Sequence, residues 1–381
     1  MSKEPIRILH VLSNMGRGGA ESMVMNYYRN VDRSKVQFDF LLHRAYKSAY
    51  EDEIEELGGR IYKVCAISPK NYFKYNKQLK DFFASHPEYT IVHSHLNALS
   101  FMVLKHAQKT CSIRIAHSHT TINPYAVFNI LNKNVQAGRT IKNTLYHLIR
   151  KKTSTYATHY FACAEKAGEW LYGTKNKEIK VIKNAIDSAT FIPNKEKYTS
   201  LRTELGIDSN FVIGHVGRFD TPKNHYFLLH IFKEIVKKEP TAKLVLAGDG
   251  HLRDIIEKEI KELDISNNVL LLGMRSDVPE LLQAFDVFLF PSLYEGLPVT
   301  VVEAQASSLP VIASDTVTTE VKVTNLVHFM SLTESAKKWA DKVIEHKDNA
   351  KVDRTNEIVT SGYDIKTASE ELQRFYLTSK I

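Results

Sequence analysis

The chain has 381 residues, 43% hydrophobic and 25% charged, with a formal net charge of +8. That length exceeds an ordinary single core and sets the expectation of two domains of comparable size. No apolar run approaches the roughly 20 residues that span a bilayer, and Lys3-Glu4-Pro5 leads directly into a strand, so neither an integral membrane protein nor an exported one is expected.

The charge is unevenly divided. Residues 1–185 hold 28 Lys/Arg against 14 Asp/Glu, net +14, and residues 186–381 hold 23 against 29, net −6. Between Glu88 and Glu165 there is no acid at all but nine Lys/Arg, which makes that stretch a source of positive field. Cys65, Cys111 and Cys163 are far apart, form no Cys-x-x-Cys and sit in apolar surroundings, so free thiols in a reducing cytosol are expected.

In chain order, Ile6 to Leu12 reads as a strand, Ser13 to Gly19 as a glycine-bearing loop, and Ala20 to Val31 as a helix. A dinucleotide-binding reading of that loop needs a ribose-binding acid about 20 residues on, at the end of the second strand. The second strand, Val36 to Leu42, ends instead in His43-Arg44, so a nicotinamide site is not expected. Strands near 60–64, 90–93, 113–116 and 159–163 alternate with helices near 71–85, 98–109 and 165–172, the pattern of a doubly wound parallel sheet.

Two His-Ser-His triplets close strands, at 93–95 and 117–119. Alternate histidines on a strand share a face and could hold a metal, yet no carboxylate or cysteine lies nearby in sequence to complete a ligand set, and no metal is expected. Residues 120–158 interrupt the alternation. Within them, 139–152 places Ile141, Leu145, Leu148 and Ile149 at helical spacing beside Arg139, Lys142, Arg150, Lys151 and Lys152. Such a helix suits either a core-facing surface position or an anionic membrane surface.

Val181 to Asp187 closes the first series, and Thr190 to Asn210 reads as a polar connector. Three further strands then empty into glycine loops: Phe211 to Val216 into Gly217-Arg218-Phe219-Asp220-Thr221-Pro222-Lys223-Asn224, Lys243 to Leu246 into Gly248-Asp249-Gly250, and Val269 to Leu272 into Gly273-Met274. A nucleotide can lie along such an edge, and Arg218 and Lys223 beside a helix start favour a diphosphate. A fourth strand, Val287 to Phe290, leads through Pro291, Glu295, Gly296, Leu297 and Pro298 into a helix that carries Glu303.

The Gly18-Gly19-Ala20-Glu21 loop, the second His-Ser-His, Gly217-Arg218 to Lys223-Asn224, the Gly248–Gly250 loop, and Glu295 followed eight residues later by Glu303 together resemble the retaining family 4 glycosyltransferases of bacterial capsule and exopolysaccharide synthesis. The resemblance covers nearly the whole chain. It implies the GT-B fold: two Rossmann-like, doubly wound α/β parallel-sheet domains facing across a cleft. The expected divisions are an acceptor-side domain at 1–185, a nucleotide-sugar domain at 186–362, and a terminal helix, 363–381, packing back on the first.

The resemblance also assigns roles. Glu303 would accept the two ribose hydroxyls, Arg218 and Lys223 would neutralise the leaving diphosphate, and Glu295 with the Gly296 and Leu297 amides would orient the sugar. His117 would close the site from the first domain, with His119 as second candidate. Gly18, Gly19, Gly217, Gly248 and Gly250 would allow close backbone approach, and the backbone near Gly273 would pair with the base. The chain departs from many members at Pro298-Val299, which removes one possible amide donor.

No Asp-x-Asp occurs, so no metal and no other cofactor is expected on the diphosphate. The implied reaction moves a hexose or N-acetylhexosamine from a nucleoside-diphosphate sugar, UDP-linked by expectation, to a lipid-linked saccharide, with the enzyme cytoplasmic and peripheral at an anionic inner membrane face. An epimerase or phosphorylase on the same architecture is one alternative, and a non-catalytic binding or scaffold protein is another. No Walker loop, zinc module or aromatic RNA-binding signature is present, so nucleic acid is not an expected partner.

Overall fold

The structure, a computed structural model, describes residues 4–16, 18–119, 149–173 and 178–379. It divides into two compact units, one of Met1–Ala185 with Ile365–Ile381 and the other of Ile186–Asp364.

The first unit holds seven parallel strands, β1 (Ile6–Leu12), β2 (Val36–Leu42), β3 (Ile61–Lys63), β4 (Ile91–Ser94), β5 (Ile113–Ser118), β6 (His159–Ala162) and β7 (Ile179–Val181), in the order β3-β2-β1-β4-β5-β6-β7. Helices α1 (Gly19–Asn30), α2 (Glu51–Glu56), α3 (Tyr72–Ser85), α4 (Ser100–Ala107), α5 (149–156) and α6 (Glu165–Tyr172) connect them. β2 is buried along its whole length, as a strand covered on both faces must be. Its one acid, Asp39, is held by the Arg7 guanidinium at 2.6 and 2.5 Å, the Tyr89 hydroxyl at 2.7 Å and the Arg60 amide at 2.7 Å. A buried carboxylate with fewer partners would cost several kcal/mol.

Of the helix expected over 139–152, residues 139–148 lie outside the described residues. In α5, Ile149 packs against an apolar cluster containing Leu96, Met102 and Leu171, the Arg150 guanidinium donates to the Trp170 carbonyl, and Lys152 stands 5.8 Å from the Phe101 ring. Ile149 therefore belongs to the core and is not free to enter a membrane.

The second unit holds β8 (Val212–Val216), β9 (Lys243–Ala247), β10 (Val269–Gly273), β11 (Val287–Phe290), β12 (Val311–Ser314) and β13 (Val327–Met330), all parallel, in the order β10-β9-β8-β11-β12-β13. Its helices are α7 (Lys195–Leu205), α8 (His225–Lys238), α9 (Arg253–Glu262), α10 (Val278–Ala284), α11 (Val299–Ala306), α12 (Ala336–Ile344) and α13 (Thr355–Thr360). β7, β12 and β13 were not among the strands expected from sequence. The last helix, α14 (Ile365–Thr378), joins the first unit, where Ile365, Leu372 and Tyr376 share an apolar cluster with Met25, Tyr28 and Ile91.

Each sheet reverses its winding once, between β1 and β4 in the first unit and between β8 and β11 in the second. Loops leaving the carboxyl ends of such a strand pair part in opposite directions and open a crevice, the preferred ligand position in this architecture.

Candidate functional site: the carboxyl edge of β8 and β11

The loops after β8 and β11 carry Arg218, Lys223 and Glu295, and the helix that follows the second loop, α11, carries Glu303, so all four follow the strand pair at the switch point of the second sheet. β11 lies beside β8 in the register Val287 to Ile213 and Phe288 to Gly214. Gly214 makes this possible, because a Cβ there would fall 1.8 Å from the Phe285 ring. The two loops are then tied together: the Leu293 amide donates to the Pro222 carbonyl at 2.8 Å, and the Asn224 side chain donates to the Pro291 carbonyl at 3.0 Å. Asn224 does this from a left-handed backbone, φ 54°, that asparagine tolerates better than most residues.

Lys223 Nζ lies 2.8 Å from Glu295 Oε1 and 4.6 Å from the Phe290 ring centroid. Both side chains are largely shielded, at 18% and 14% exposure. Gly217 leaves room for the lysine stem, since a Cβ at that position would meet Lys223 Cε at 3.2 Å and His215 Nε2 at 2.9 Å. Arg218 is exposed, and its guanidinium makes no ion pair or hydrogen bond among the described residues. One cation is thus held in place by an acid, and the other is available to an anion.

Glu303 lies in the second turn of α11, partly open to solvent but surrounded by protein on most sides, and burial pushes its carboxyl up to about 7. No ion pair or hydrogen bond of that carboxyl occurs among the described residues. An acid so placed is poised between a neutral form when bare and an ionised form when two hydroxyls donate to it.

Gly248 and Gly250 have a packing requirement of their own. Gly248 has φ +145°, and a Cβ there would stand 2.0 Å from the Gly217 carbonyl oxygen; one at Gly250 would stand 2.4 Å from the Phe219 oxygen. Backbone bonds from Gly217 to Ala247 at 2.9 Å and from Phe219 to Asp249 at 3.0 Å prolong the β8–β9 ladder into these loops. The Gly273 carbonyl accepts from the Gly248 amide at 2.8 Å, and Leu297 is 9% exposed. In the first unit, Gly18 caps α1, with its carbonyl accepting from Ser22 at 2.9 Å, while a Cβ at Gly19 would meet nothing within 4 Å.

Two imidazoles beneath the second unit's site were not anticipated. His215 Nδ1 stands 2.9 Å from the Leu289 carbonyl, an arrangement that requires Nδ1 to carry the proton, and its Nε2 has no partner. His225, at the start of α8, is 2% exposed with both ring nitrogens unpartnered. The sequence signal for His215 was its place in a strand, two residues before Gly217.

His117 has no exposed surface. Its Nδ1 lies 3.0 Å from His93 Nε2, and His119, the more exposed of the pair, stacks on it with ring centroids 4.1 Å apart.

Two all-parallel sheets with flanking helices make the GT-B architecture, the fold class of the solved glycosyltransferase structures this chain resembles. Residues 17–190 match the description Glycosyltransferase Family 4, and residues 198–361 match Glycosyl transferases group 1. The putative glycosyltransferase EpsF of Bacillus subtilis is 39% identical over 350 residues, covering 90% of this chain and 88% of its own. The capsular polysaccharide biosynthesis glycosyltransferase CapH of Staphylococcus aureus is 25% identical over 387 residues, covering 99% and 100%. Among solved structures, Anabaena Alr3699/HepE in complex with UDP superposes with a TM-score of 0.77 at 18% identity over 98% of this chain and 100% of its own. The chain belongs to the family 4 glycosyltransferases.

Proposed function

We propose that the protein transfers a hexose or N-acetylhexosamine from a UDP-sugar to a lipid-linked saccharide, with retention at the anomeric carbon, in the synthesis of a capsule or exopolysaccharide. The observation that carries this reading is the convergence of Arg218, Lys223, Glu295 and Glu303 on the carboxyl edge of neighbouring strands at the switch point. The UDP in the Anabaena complex and the capsular role in the name of the Staphylococcus relative support the donor and the process.

In this reading ionised Glu303 accepts from both ribose hydroxyls, and Arg218 meets the diphosphate. Lys223, preset by Glu295, neutralises the charge that develops as the bond from the anomeric carbon to the diphosphate oxygen breaks. The electron pair of that bond leaves with the phosphate. The acceptor oxygen bonds to the same face of the carbon, and its proton passes to the departing phosphate oxygen. Neither Glu295 nor Glu303 serves as a covalent nucleophile, and the two cations supply the charge that a metal on the diphosphate would otherwise carry.

The test is a panel of UDP-sugars with a lipid-linked saccharide, run with and without EDTA, with the product followed by proton NMR. A retained anomer formed in both conditions is expected. An inverted anomer, activity abolished by EDTA, or epimerised donor without transfer would each contradict the reading.

A further inference from the structure

Strand pairing in the first unit assembles what the sequence shows only as scattered triplets. β4 lies between β1 and β5, with His10 directly opposite His93, and the two His-Ser-His triplets end neighbouring strands. Five imidazoles, His10, His93, His95, His117 and His119, therefore stand together at the carboxyl edge where this sheet reverses its winding. His10 Nδ1 lies 3.0 Å from His95 Nε2, His95 Nδ1 lies 2.8 Å from His119 Nε2, and His93 Nδ1 lies 2.7 Å from the Tyr376 hydroxyl. His10 Nε2, His117 Nε2 and His119 Nδ1 are buried without a hydrogen-bond partner. Three orphaned polar atoms in one cluster are far above the usual density, and two of them, on His117 and His119, belong to one group of histidines whose nitrogens stand close enough to share an ion.

We propose that His95, His117 and His119 form a binding site for a borderline divalent transition metal such as Zn2+ or Co2+. One ring nitrogen from each lies within 4.8 Å of the others. Nitrogens around a tetrahedral ion at bonds of about 2.1 Å stand roughly 3.4 Å apart, so closing the set needs shifts below about 1 Å per nitrogen. Three imidazoles and no thiolate leave a fourth position for water or a hydroxyl, the pattern of open sites. His119 provides the way in, as the member with exposed surface, and the Asn97 side chain fixes its backbone by accepting from the His119 amide at 2.8 Å. His10 and His93 form the alternative triad with His95. It is fully enclosed, Tyr376 and His117 engage both nitrogens of His93, and it holds one orphaned nitrogen, on His10, against two in the chosen set. The sequence lacked a nearby carboxylate or cysteine to complete a set, and here the third ligand is an imidazole from the adjoining strand.

The experiment is titration of the tag-free full chain with Co2+, read by its visible ligand-field bands, followed by displacement with Zn2+. One equivalent of Co2+ per chain is expected. His95→Gln and His119→Gln should each weaken it at least about tenfold, since even loss of a supporting contact to a metal ligand costs 10- to 100-fold. His251→Gln, an exposed histidine elsewhere, should bind as the wild type does. Circular dichroism checks the fold, and His119→Gln, the less buried change, carries the test should His95→Gln unfold. A tag-free wild type that takes up no Co2+ or Zn2+, or His119→Gln that binds unchanged, overturns the proposal. Binding lost with His10→Gln but kept with His119→Gln overturns this choice of ligands.

Discussion

Lys223 and Glu295 meet at 2.8 Å across the two loops that end neighbouring strands, with the Phe290 ring against the ammonium. Neither group is deeply buried, yet each is shielded enough that the loss of its partner leaves a poorly solvated charge. Without a donor the pair neutralises itself. A diphosphate adds negative charge beside Lys223 and competes with the acid, so the two substitutions should act in opposite senses. Lys223→Ala should weaken UDP binding at least about tenfold, whereas Glu295→Gln should leave it equal or tighter while lowering kcat. Calorimetry and steady-state kinetics on both variants check this, and parallel losses of UDP affinity would refute it.

Glu303 sets a conflict between stability and binding. Its carboxyl is raised to about 7 in the folded chain from the 4.5 of an unperturbed group. The folded state therefore holds the proton more tightly, and stability falls as pH rises from about 4.5 through 7. Glu303→Gln should raise the unfolding free energy by about 1 to 3 kcal/mol at pH 8, with no gain near pH 4. The same change should cost at least about tenfold in UDP affinity. Denaturant unfolding at the two pH values reads the first effect, and equal stability differences at both would contradict it.

The glycines separate by what surrounds them. Gly248→Ala places a methyl 2.0 Å from a carbonyl oxygen at φ +145° and should destabilise the chain by about 3 kcal/mol or more. Gly19→Ala meets nothing within 4 Å and should leave stability within about 0.5 kcal/mol, so any loss of activity there reports on substrate. Thermal melts of the two variants distinguish them, and a well-tolerated Gly248→Ala would show that the loop relaxes freely.

Residues 89–164 contain no acid, and each Lys or Arg beside an anionic bilayer is worth about 1 kcal/mol. We propose peripheral, salt-sensitive binding to anionic vesicles. Because Arg150 is engaged with the Trp170 carbonyl, the cleaner test uses the exposed Lys151 and Lys152. Changing both to Glu should release the protein from vesicles at low salt while donor hydrolysis persists. Failure of the wild type to sediment, or binding unchanged at about 0.5 M salt, would contradict electrostatic docking.

Much of the architecture was legible because buried parallel strands are written as short, mainly apolar runs closed by glycine or proline, as at Val212–Val216 before Gly217 and Val287–Phe290 before Pro291. β7 and β13 escaped because Ile179–Val181 and Val327–Met330 are short, partly exposed edge strands without a continuous apolar run. β12 escaped because its four residues follow directly on Ser307-Ser308-Leu309-Pro310. For the site, linear spacing indicated the loops but not their interior. Nothing local announces that Lys223 reaches Glu295, that Gly248 is packed against Gly217, or that His10 stands opposite His93, since each depends on which strands become neighbours.

The measurement that bears most directly on the account is calorimetric titration of UDP into the wild type and Arg218→Ala. Arg218 is exposed and unengaged among the described residues, so its loss should leave the melting temperature unchanged. Saturable binding to the wild type, weakened at least about tenfold in the variant at an unchanged melting temperature, is the predicted result. Equal affinity in the two proteins, or no binding to either, would contradict a donor site at the carboxyl edge of β8 and β11.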